Sequence, residues 1–389
     1  MKIDTDPKKI EEVLNRGVEN VYPSKDFLKK RLESGERLKM YLGLDPTGPT
    51  LHIGHSVPLR KLAQFQSLGH QIILLIGDFT AMIGDPTDKS AARVRQTREE
   101  VLANATFYKD QASHFLKFDG ENPVELKYNS EWLSKMTYAT ILELEADFTH
   151  AQLIKRDMFQ KRIEEGKDLY MHELSYPMMQ GYDSVAMDVD GEVGGNDQTF
   201  NMLAGRDLMK KRMNKEKFVV STKLLVDPTG KKMGKTEGNM VAFTDTAEDA
   251  FGKVMSWPDT LMPLAYELCT DEEMKSEGKE AKLHLAEMII GNYWGVDAAS
   301  SSKENWQNTF SKGETPENIT EVNATAGDLL ADILLAQKLI ESKNEWRRLV
   351  SEGAVSIDGE KVNDPVAKIE KSGVVRVGKH RFIKISTNT

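Results

Sequence analysis

Four side chains in two short motifs could act on phosphate. In the stretch "DPTGPTLHIGHS", His52 and His55 stand three residues apart, directly after a loop of Pro, Thr and Gly. Much later, "KKMGKT" puts Lys232 and Lys235 three apart on a glycine-bearing loop. Two imidazoles at that spacing share one face of a helical turn and can donate hydrogen bonds to phosphate oxygens. Gly54 between them removes a side chain, so a flat ring could approach the backbone. Two lysines can neutralise charge that grows on a polyphosphate in a transition state. As metal ligands the histidines lack a third partner nearby in sequence, so no protein-held metal is expected. Either pair alone fits an ordinary solvated surface. Their joint presence, each at the end of a strand, is what carries information.

The surrounding sequence supplies elements that would position these groups. "LKMYLGL" reads as a strand running into the Asp45-Pro46-Thr47-Gly48 loop. "LHIGHSVPLRKLAQFQSLGH" has helical apolar spacing and ends at Gly69, and "QIILLIG" is a continuous apolar strand. Strand, glycine-bearing turn, helix and strand make a βαβ unit. Residues 91–170 are mostly helical in pattern, with a short strand in "VELKYN". "YPMMQGYDSVAMDVDGEVGGNDQTFNMLAGR" then reads as helix, strand, turn and helix, and "EKFVVST" as a further strand. The fold class is therefore α/β: a Rossmann-like, doubly wound parallel sheet over 1–240, preceded by helices within 1–37 and interrupted by a helical insertion at about 100–170. Ligands of such sheets bind beyond the carboxyl ends of the strands, where "DPTGPTLHIGH" would lie.

A helical stretch follows from 241 to 320, and the polar run 299–327 is the most linker-like segment. Residues 328–389 change style. Two short helices precede "AVSIDGEKV", a hairpin signal around Asp358-Gly359, and "VVRVGKHRFIKI", a second hairpin.

The chain has 389 residues and a net charge of −9, which argues against a general DNA coat. From Ile333 onward, however, 11 Lys and Arg face 7 Asp and Glu. Lys343 and Arg347 stand at i and i+4 on one helix face beside Arg348, a pattern that fits either phosphate contacts or a surface ion-pair helix with Glu341 and Glu345. One cysteine, Cys269, excludes an internal disulfide and reads as a small buried hydrophobe. No apolar run is long enough to span a bilayer, and the charged N-terminus reads as an amphipathic helix, so a cytoplasmic protein without membrane partners is expected.

"HIGH" followed by "KMGKT" resembles the two signature motifs of class I aminoacyl-tRNA synthetases. Gly234 and Thr236 replace the serines of the Lys-Met-Ser-Lys-Ser form, and both lysines are kept. The resemblance implies ATP-dependent activation of an amino acid and its transfer to tRNA. "YLGLDPT" and "YPMMQGYDS" narrow it further. Tyr176, Gln180 and Asp183, at i, i+4 and i+7, share a helix face that suits either a polar pocket or plain solvent. The phrase as a whole resembles the tyrosyl-tRNA synthetases.

That resemblance implies that Tyr41 and Asp183 bind the phenol hydroxyl of tyrosine. It places Asp85, Tyr176 and Gln180 on the α-ammonium and Gln198 near the carboxylate. Gly43, Asp45, Gly54, Gly195, Asp197, Met233 and Lys235 would lie on the nucleotide side, with Mg²⁺ travelling with ATP. Thr47, His52, His55, Lys232 and Lys235 would stabilise the phosphates. Lys89 and Arg93 would close on pyrophosphate. Asn196 stands where Ser or Thr is commoner, and Leu42 and Pro58 where some relatives bear polar groups toward ATP. The resemblance also implies an anticodon-binding role for 241–320 and an S4-like RNA-binding module at 328–389 that uses Lys343, Arg347 and Arg348. A homodimer through the insertion, with tRNA(Tyr) as partner, is implied as well. Two alternatives share the scaffold: a tryptophanyl-tRNA synthetase, disfavoured by Asp183 and the C-terminal module, and a non-catalytic RNA binder, disfavoured by the intact histidines and lysines.

Overall fold

The computed structural model describes residues 2–85, 96–226, 240–311, 321–337, 339–340, 342–378 and 381–388. The chain divides into two compact units, Met1–Ala299 and Ser300–Thr389.

The first unit is built on a six-stranded sheet. Its strands are β1 (Val18–Tyr22), β2 (Lys39–Leu44), β3 (Gln71–Ile76), β4 (Glu125–Tyr128), β5 (Gly191–Gly195) and β6 (Phe218–Thr222). They lie in the order β1-β6-β5-β2-β3-β4. All neighbours are parallel except β1, which pairs antiparallel with β6. From the central β2 the chain winds outward through β3 to β4. It then returns to β5 on the other side of β2 and winds outward through β6. The β2/β5 junction is thus the topological switch point, where a crevice opens beyond the strand ends.

The apolar runs are strands because both faces are covered. Ile72 to Ile76 of β3 and all five residues of β6 are buried. Each fully buried Ile, Leu, Val or Phe there contributes about 1.5–3 kcal/mol of transfer free energy. The Ile53–Ser67 helix packs Leu59, Leu62 and Phe65 into the same core, beside Met40, Leu42 and Leu44. Two helices, Met171–Met187 and Thr199–Met213, approach closely at paired glycines. A Cβ on Gly181 would lie 3.3 Å from the Gly205 backbone nitrogen. A buried ion pair, Arg162 Nη1 to Glu173 Oε1 at 2.6 Å, anchors the start of the first of these helices.

Several expectations change. Residues 1–37 are not helical throughout: between the Pro7–Asn15 and Lys25–Glu33 helices lies β1, an edge strand of the main sheet. Its pairing partner is some 200 residues away, so no local pattern announces it. The stretch 299–327 is not a plain linker. The Val296–Ser311 helix runs into it, and β7 (Glu321–Thr325) is a strand of the C-terminal sheet. Low hydrophobicity there reflects one-sided burial, since only Ala324 of β7 is buried. The C-terminal fold therefore includes residues ahead of 328. Residues 241–299, expected as part of a separate helical domain, fall in the same compact unit as the main sheet.

In the second unit, β7, β8 (Val355–Ile357), β9 (Glu360–Lys361), β10 (Gly373–Val377) and β11 (Arg381–Asn388) form one sheet in the order β7-β11-β10-β8-β9. Both predicted hairpins are present: β8 with β9 and β10 with β11. Asp358 and Gly359 have φ of 48° and 85°, the left-handed values that a two-residue turn requires. The Leu330–Ala336 and Lys343–Ser351 helices bury Leu330, Leu334, Trp346 and Leu349 against this sheet. Among the described residues no helix is long and apolar enough to cross a membrane. Cys269 is buried, and burial pushes its thiol up to about 12, as suits an inert core residue.

Candidate functional site

A cavity of about 480 Å³ opens at the switch point, beyond the ends of β2 and β5. It is lined by Tyr41, Gly43, Asp45, Thr47, His52, Gly54 and His55 from the first half of the sheet. Asp85 lies above β3, Tyr176, Gln180 and Asp183 come from one helix, and Gly195, Asp197 and Gln198 follow β5. Residues separated by up to 184 positions thus meet in one place. Leu42 and Pro58 line it too. Lys89, Arg93, Lys232, Met233 and Lys235 lie outside the described residues. The described residues flanking the lysine motif do belong here. Thr222 to Leu225 line the cavity. Ile53 donates to the Val241 carbonyl at 2.9 Å and Phe243 to the Leu51 carbonyl at 3.0 Å, so chain beyond the motif is stitched to the histidine turn.

The two histidines cap the helix that they begin. His52 is the N-cap of Ile53–Ser67, and its Nδ1 accepts from the Gly54 N–H at 3.1 Å. His55 Nδ1 accepts from the His52 N–H at 3.1 Å, closing a capping box made of imidazoles. Both Nδ1 atoms are therefore acceptors, so in each neutral ring the proton sits on Nε2. The ring centroids are 3.9 Å apart. Gly54 has a reason that the sequence reading did not give: a Cβ there would lie 2.9 Å from the His52 ring, which folds back over its own turn. Oriented Nε2–H groups beside a helix N-terminus form an anion-binding arrangement.

The opposite end is a network of acids and amides. Tyr176, 5% exposed, donates to Asp45 Oδ2 at 2.8 Å, and Thr80 donates to Asp45 Oδ1 at 2.7 Å. Gln198 Nε2 donates to Asp85 Oδ2 at 2.6 Å. Gln180 Nε2 donates to Glu192 Oε1 at 3.1 Å, which leaves its buried Oε1 without a hydrogen-bond partner. Burial lifts Asp197 to about 6, with Asp85 adding to the rise. Carboxylates of Asp45, Asp85 and Asp197 favour a bound cation such as an ammonium.

Deepest lies Asp183, 2% exposed. Burial pushes its carboxyl well above the usual carboxylate range, while hydrogen bonds from Trp132 and Asn129 hold it back. Trp132 Nε1 donates to Oδ1 at 2.7 Å and Asn129 Nδ2 to Oδ2 at 3.3 Å. Tyr41 is fully buried, with its hydroxyl 3.0 Å from Ser184 Oγ. The face carrying Tyr176, Gln180 and Asp183 is thus a pocket wall rather than a solvent face.

Trp132, Asn129, Thr80, Ser184, Glu192 and Lys217 escaped the sequence reading. Asn129 and Trp132 directly follow β4 in "YNSEW", and a polar residue at a strand end in this fold is the signal that could have found them. In the second unit, Lys343, Arg347 and Arg348 lie on the exposed side of the Lys343–Ser351 helix, opposite Trp346 and Leu349. Lys343 contacts Asp332 at 2.7 Å and Arg348 contacts Glu352 at 3.7 Å, both exposed pairs of little strength. Glu345, a candidate partner for Arg347, is engaged by Arg381 at 2.9 Å. Among the described residues no group of three His, Cys, Asp or Glu is arranged to hold a metal ion.

Comparisons with known proteins identify the family. Residues 33–311 match the model of class I tRNA synthetases (W and Y), and residues 312–384 match a tyrosine–tRNA ligase C-terminal domain. The tyrosine–tRNA ligase of Desulfotalea psychrophila is 42% identical over 376 residues, 92% of each chain. That of Aquifex aeolicus is 40% identical, over 97% of this chain and 99% of its own. Among solved structures, a truncated mitochondrial tyrosyl-tRNA synthetase of Aspergillus nidulans shares the fold with a TM-score of 0.64 at 21% identity. That match covers 78% of this chain and 94% of the other. The chain belongs to the tyrosine–tRNA ligases of the class I tRNA synthetase family.

Proposed function

We propose that the switch-point cavity performs the family's ATP-dependent reaction with tyrosine as the amino acid. The observation that carries this is the buried Asp183–Tyr41 end of the cavity, 2% and 0% exposed, which suits a hydroxyl that both donates and accepts. Phenylalanine would displace water from these groups and offer no hydroxyl in its place, and each buried hydrogen bond lost in this way costs about 1–3 kcal/mol. The indole of tryptophan carries only an N–H donor. At the other end Tyr176, Gln180 and Asp85 hold the α-ammonium, with Gln198 toward the carboxylate. The nucleotide lies along Gly43, Asp45, Gly54, Gly195 and Asp197.

The tyrosine carboxylate, already ionised at neutral pH, attacks the α-phosphorus of ATP. A carboxylate O–P bond forms as the bond to pyrophosphate breaks, giving tyrosyl-adenylate. No general base is required. Catalysis is positioning plus electrostatics. Thr47 and the Nε2–H groups of His52 and His55 stabilise charge on the phosphates, together with Lys232 and Lys235. Met233 contacts the nucleotide, and Lys89 and Arg93 meet pyrophosphate. Mg²⁺ arrives with ATP, since its chemistry favours substrate phosphates and water over a protein cage. The 2′- or 3′-hydroxyl of the terminal tRNA ribose then takes the tyrosyl group and releases AMP.

Residues 241–320 serve the anticodon end of tRNA(Tyr). The C-terminal module, with β7 part of its sheet, binds RNA through Lys343, Arg347 and Arg348, contacts that position rather than read. The exposed Tyr138, Leu142 and Ile163 of the insertion suit a homodimer interface. The protein works in the cytoplasm, with no DNA or membrane partner. Mixing protein, tyrosine and Mg-ATP without tRNA should yield one bound tyrosyl-adenylate per active site. Folded protein that forms none would overturn the reading.

A further inference from the structure

Behind the pocket wall lies an ion pair that none of these roles uses. Lys217, just before β6, and Glu192, in β5, are 0% and 2% exposed, and the lysine Nζ donates to Glu192 Oε2. Glu192 lines the cavity, whereas Lys217 lies behind it. A buried pair of this kind is commonly no more stabilising than apolar side chains of equal volume, so packing alone does not account for it. The fold also makes room for it: a Cβ on Gly205 would sit 2.7 Å from Lys217 Nζ and 2.8 Å from Ser184 Oγ.

Each end of the pair is tied to one end of the pocket. Toward the phenol end, Lys217 Nζ donates to Ser184 Oγ at 2.9 Å and lies 5.8 Å from the centre of the Tyr41 ring. With its lone pair engaged by the ammonium, Ser184 can give its own proton to the Tyr41 oxygen at 3.0 Å. The Tyr41 proton then points away from Ser184. Glu192 is within hydrogen-bonding reach of that hydroxyl. Its two oxygens are, however, already engaged, Oε2 by Lys217 and Oε1 by Gln180. A carboxylate oxygen accepts more than one hydrogen bond, so Glu192 can still fix the direction of the Tyr41 hydroxyl at the phenol end of the pocket. Toward the ammonium end, Glu192 holds the Gln180 amide by its Nε2, and the Gln180 Oε1 is buried without a hydrogen-bond partner.

Resting on the tyrosine-pocket reading, we propose that Lys217 and Glu192 are positioning residues for amino-acid selection. As one buried unit they set the Tyr41 hydroxyl, through Ser184, and the Gln180 amide, so that both ends of tyrosine meet oriented partners.

The test is steady-state ATP–pyrophosphate exchange with tyrosine and with phenylalanine. The double variant Lys217→Met/Glu192→Gln strands no charge. It should raise the tyrosine KM by about tenfold to a hundredfold and lower the Tyr-to-Phe ratio of kcat/KM, with kcat and the ATP KM little changed. Ser184→Ala keeps both charges and cuts only the phenol branch. It should lower the same ratio and serves if the double variant does not fold. Folded variants with the wild-type tyrosine KM and ratio would overturn the proposal, as would equal losses for tyrosine and ATP. Tyr41→Phe separates the two readings. If it leaves the ratio unchanged, the pocket assignment itself fails. If it collapses the ratio while the other variants keep it, only the role of the ion pair fails.

Discussion

Trp132→Phe is a sharp probe of the tyrosine end, because Trp132 does not act on the substrate directly in this account. Its Nε1–H donates to Asp183 Oδ1 at 2.7 Å, and Asn129, at 3.3 Å, is a weaker support for the other oxygen. A hydrogen bond to a buried charged group is worth about 1.5–3 kcal/mol. Its loss should therefore weaken tyrosine binding by about tenfold to 150-fold. Phenylalanine keeps an aromatic ring against the neighbouring core of Tyr41, Ile73, Leu75, Met187 and Val189, so the fold should persist. Tyrosine KM in pyrophosphate exchange is the readout, with the ATP KM and a thermal melt as controls. There is also a pH signature. Asp183 is already pushed up by burial and held back chiefly by Trp132. Without the indole its carboxyl rises further, and a protonated Asp183 accepts the phenol proton more weakly than the carboxylate does. The variant's tyrosine KM should then fall as pH is raised. A folded Trp132→Phe protein with a tyrosine KM within twofold of wild type would refute the reasoning.

Other consequences can be checked separately. His52→Asn keeps an N-cap acceptor but loses Nε2–H; adenylate formation, followed in single turnovers, should slow by about 10²–10³ while the melting temperature barely moves. His70 is fully buried, and burial, with Arg37 adding, lowers it to about 4. The unfolded chain takes up that proton below about 6.5, so stability is complete above that pH and is lost as pH falls toward 4, by about 3 kcal/mol. Urea titrations of wild type and His70→Asn at pH 7.5 and 4.5 should show a smaller loss in the variant. Replacing Lys343, Arg347 and Arg348 together with alanine should weaken tRNA binding and flatten its salt dependence by about two units of log–log slope, with tyrosine-driven exchange unaltered.

The parallel core of the fold was legible because strands buried on both faces leave apolar runs such as "QIILLI", while the Asp358-Gly359 turn has a local chemical signature. β1 and β7 were not legible. Both are edge strands with one-sided burial, and their partners, β6 and β11, are remote in sequence. The site divides along the same line. Residues that touch the cavity sit in the motifs around His52, Tyr176 and Asp197, so fourteen cavity-lining positions could be named in advance. The residues that orient them are less legible. Asn129 and Trp132 carry only the signal of a place after a strand end, and Ser184 and Lys217 are polar positions whose partners lie on other elements, so spacing along one element carries no trace of the contact. Lys217 in particular reads as one more charge in "NKEKF", and only the fold buries it.

The most direct test of the central claim is ATP–pyrophosphate exchange measured with each of the twenty amino acids, without tRNA. The account predicts exchange driven by tyrosine and not by phenylalanine or tryptophan. Exchange driven by tryptophan would keep the chemistry and contradict the Tyr41–Asp183 pocket, and folded protein that supports no exchange with any amino acid would contradict the catalytic account.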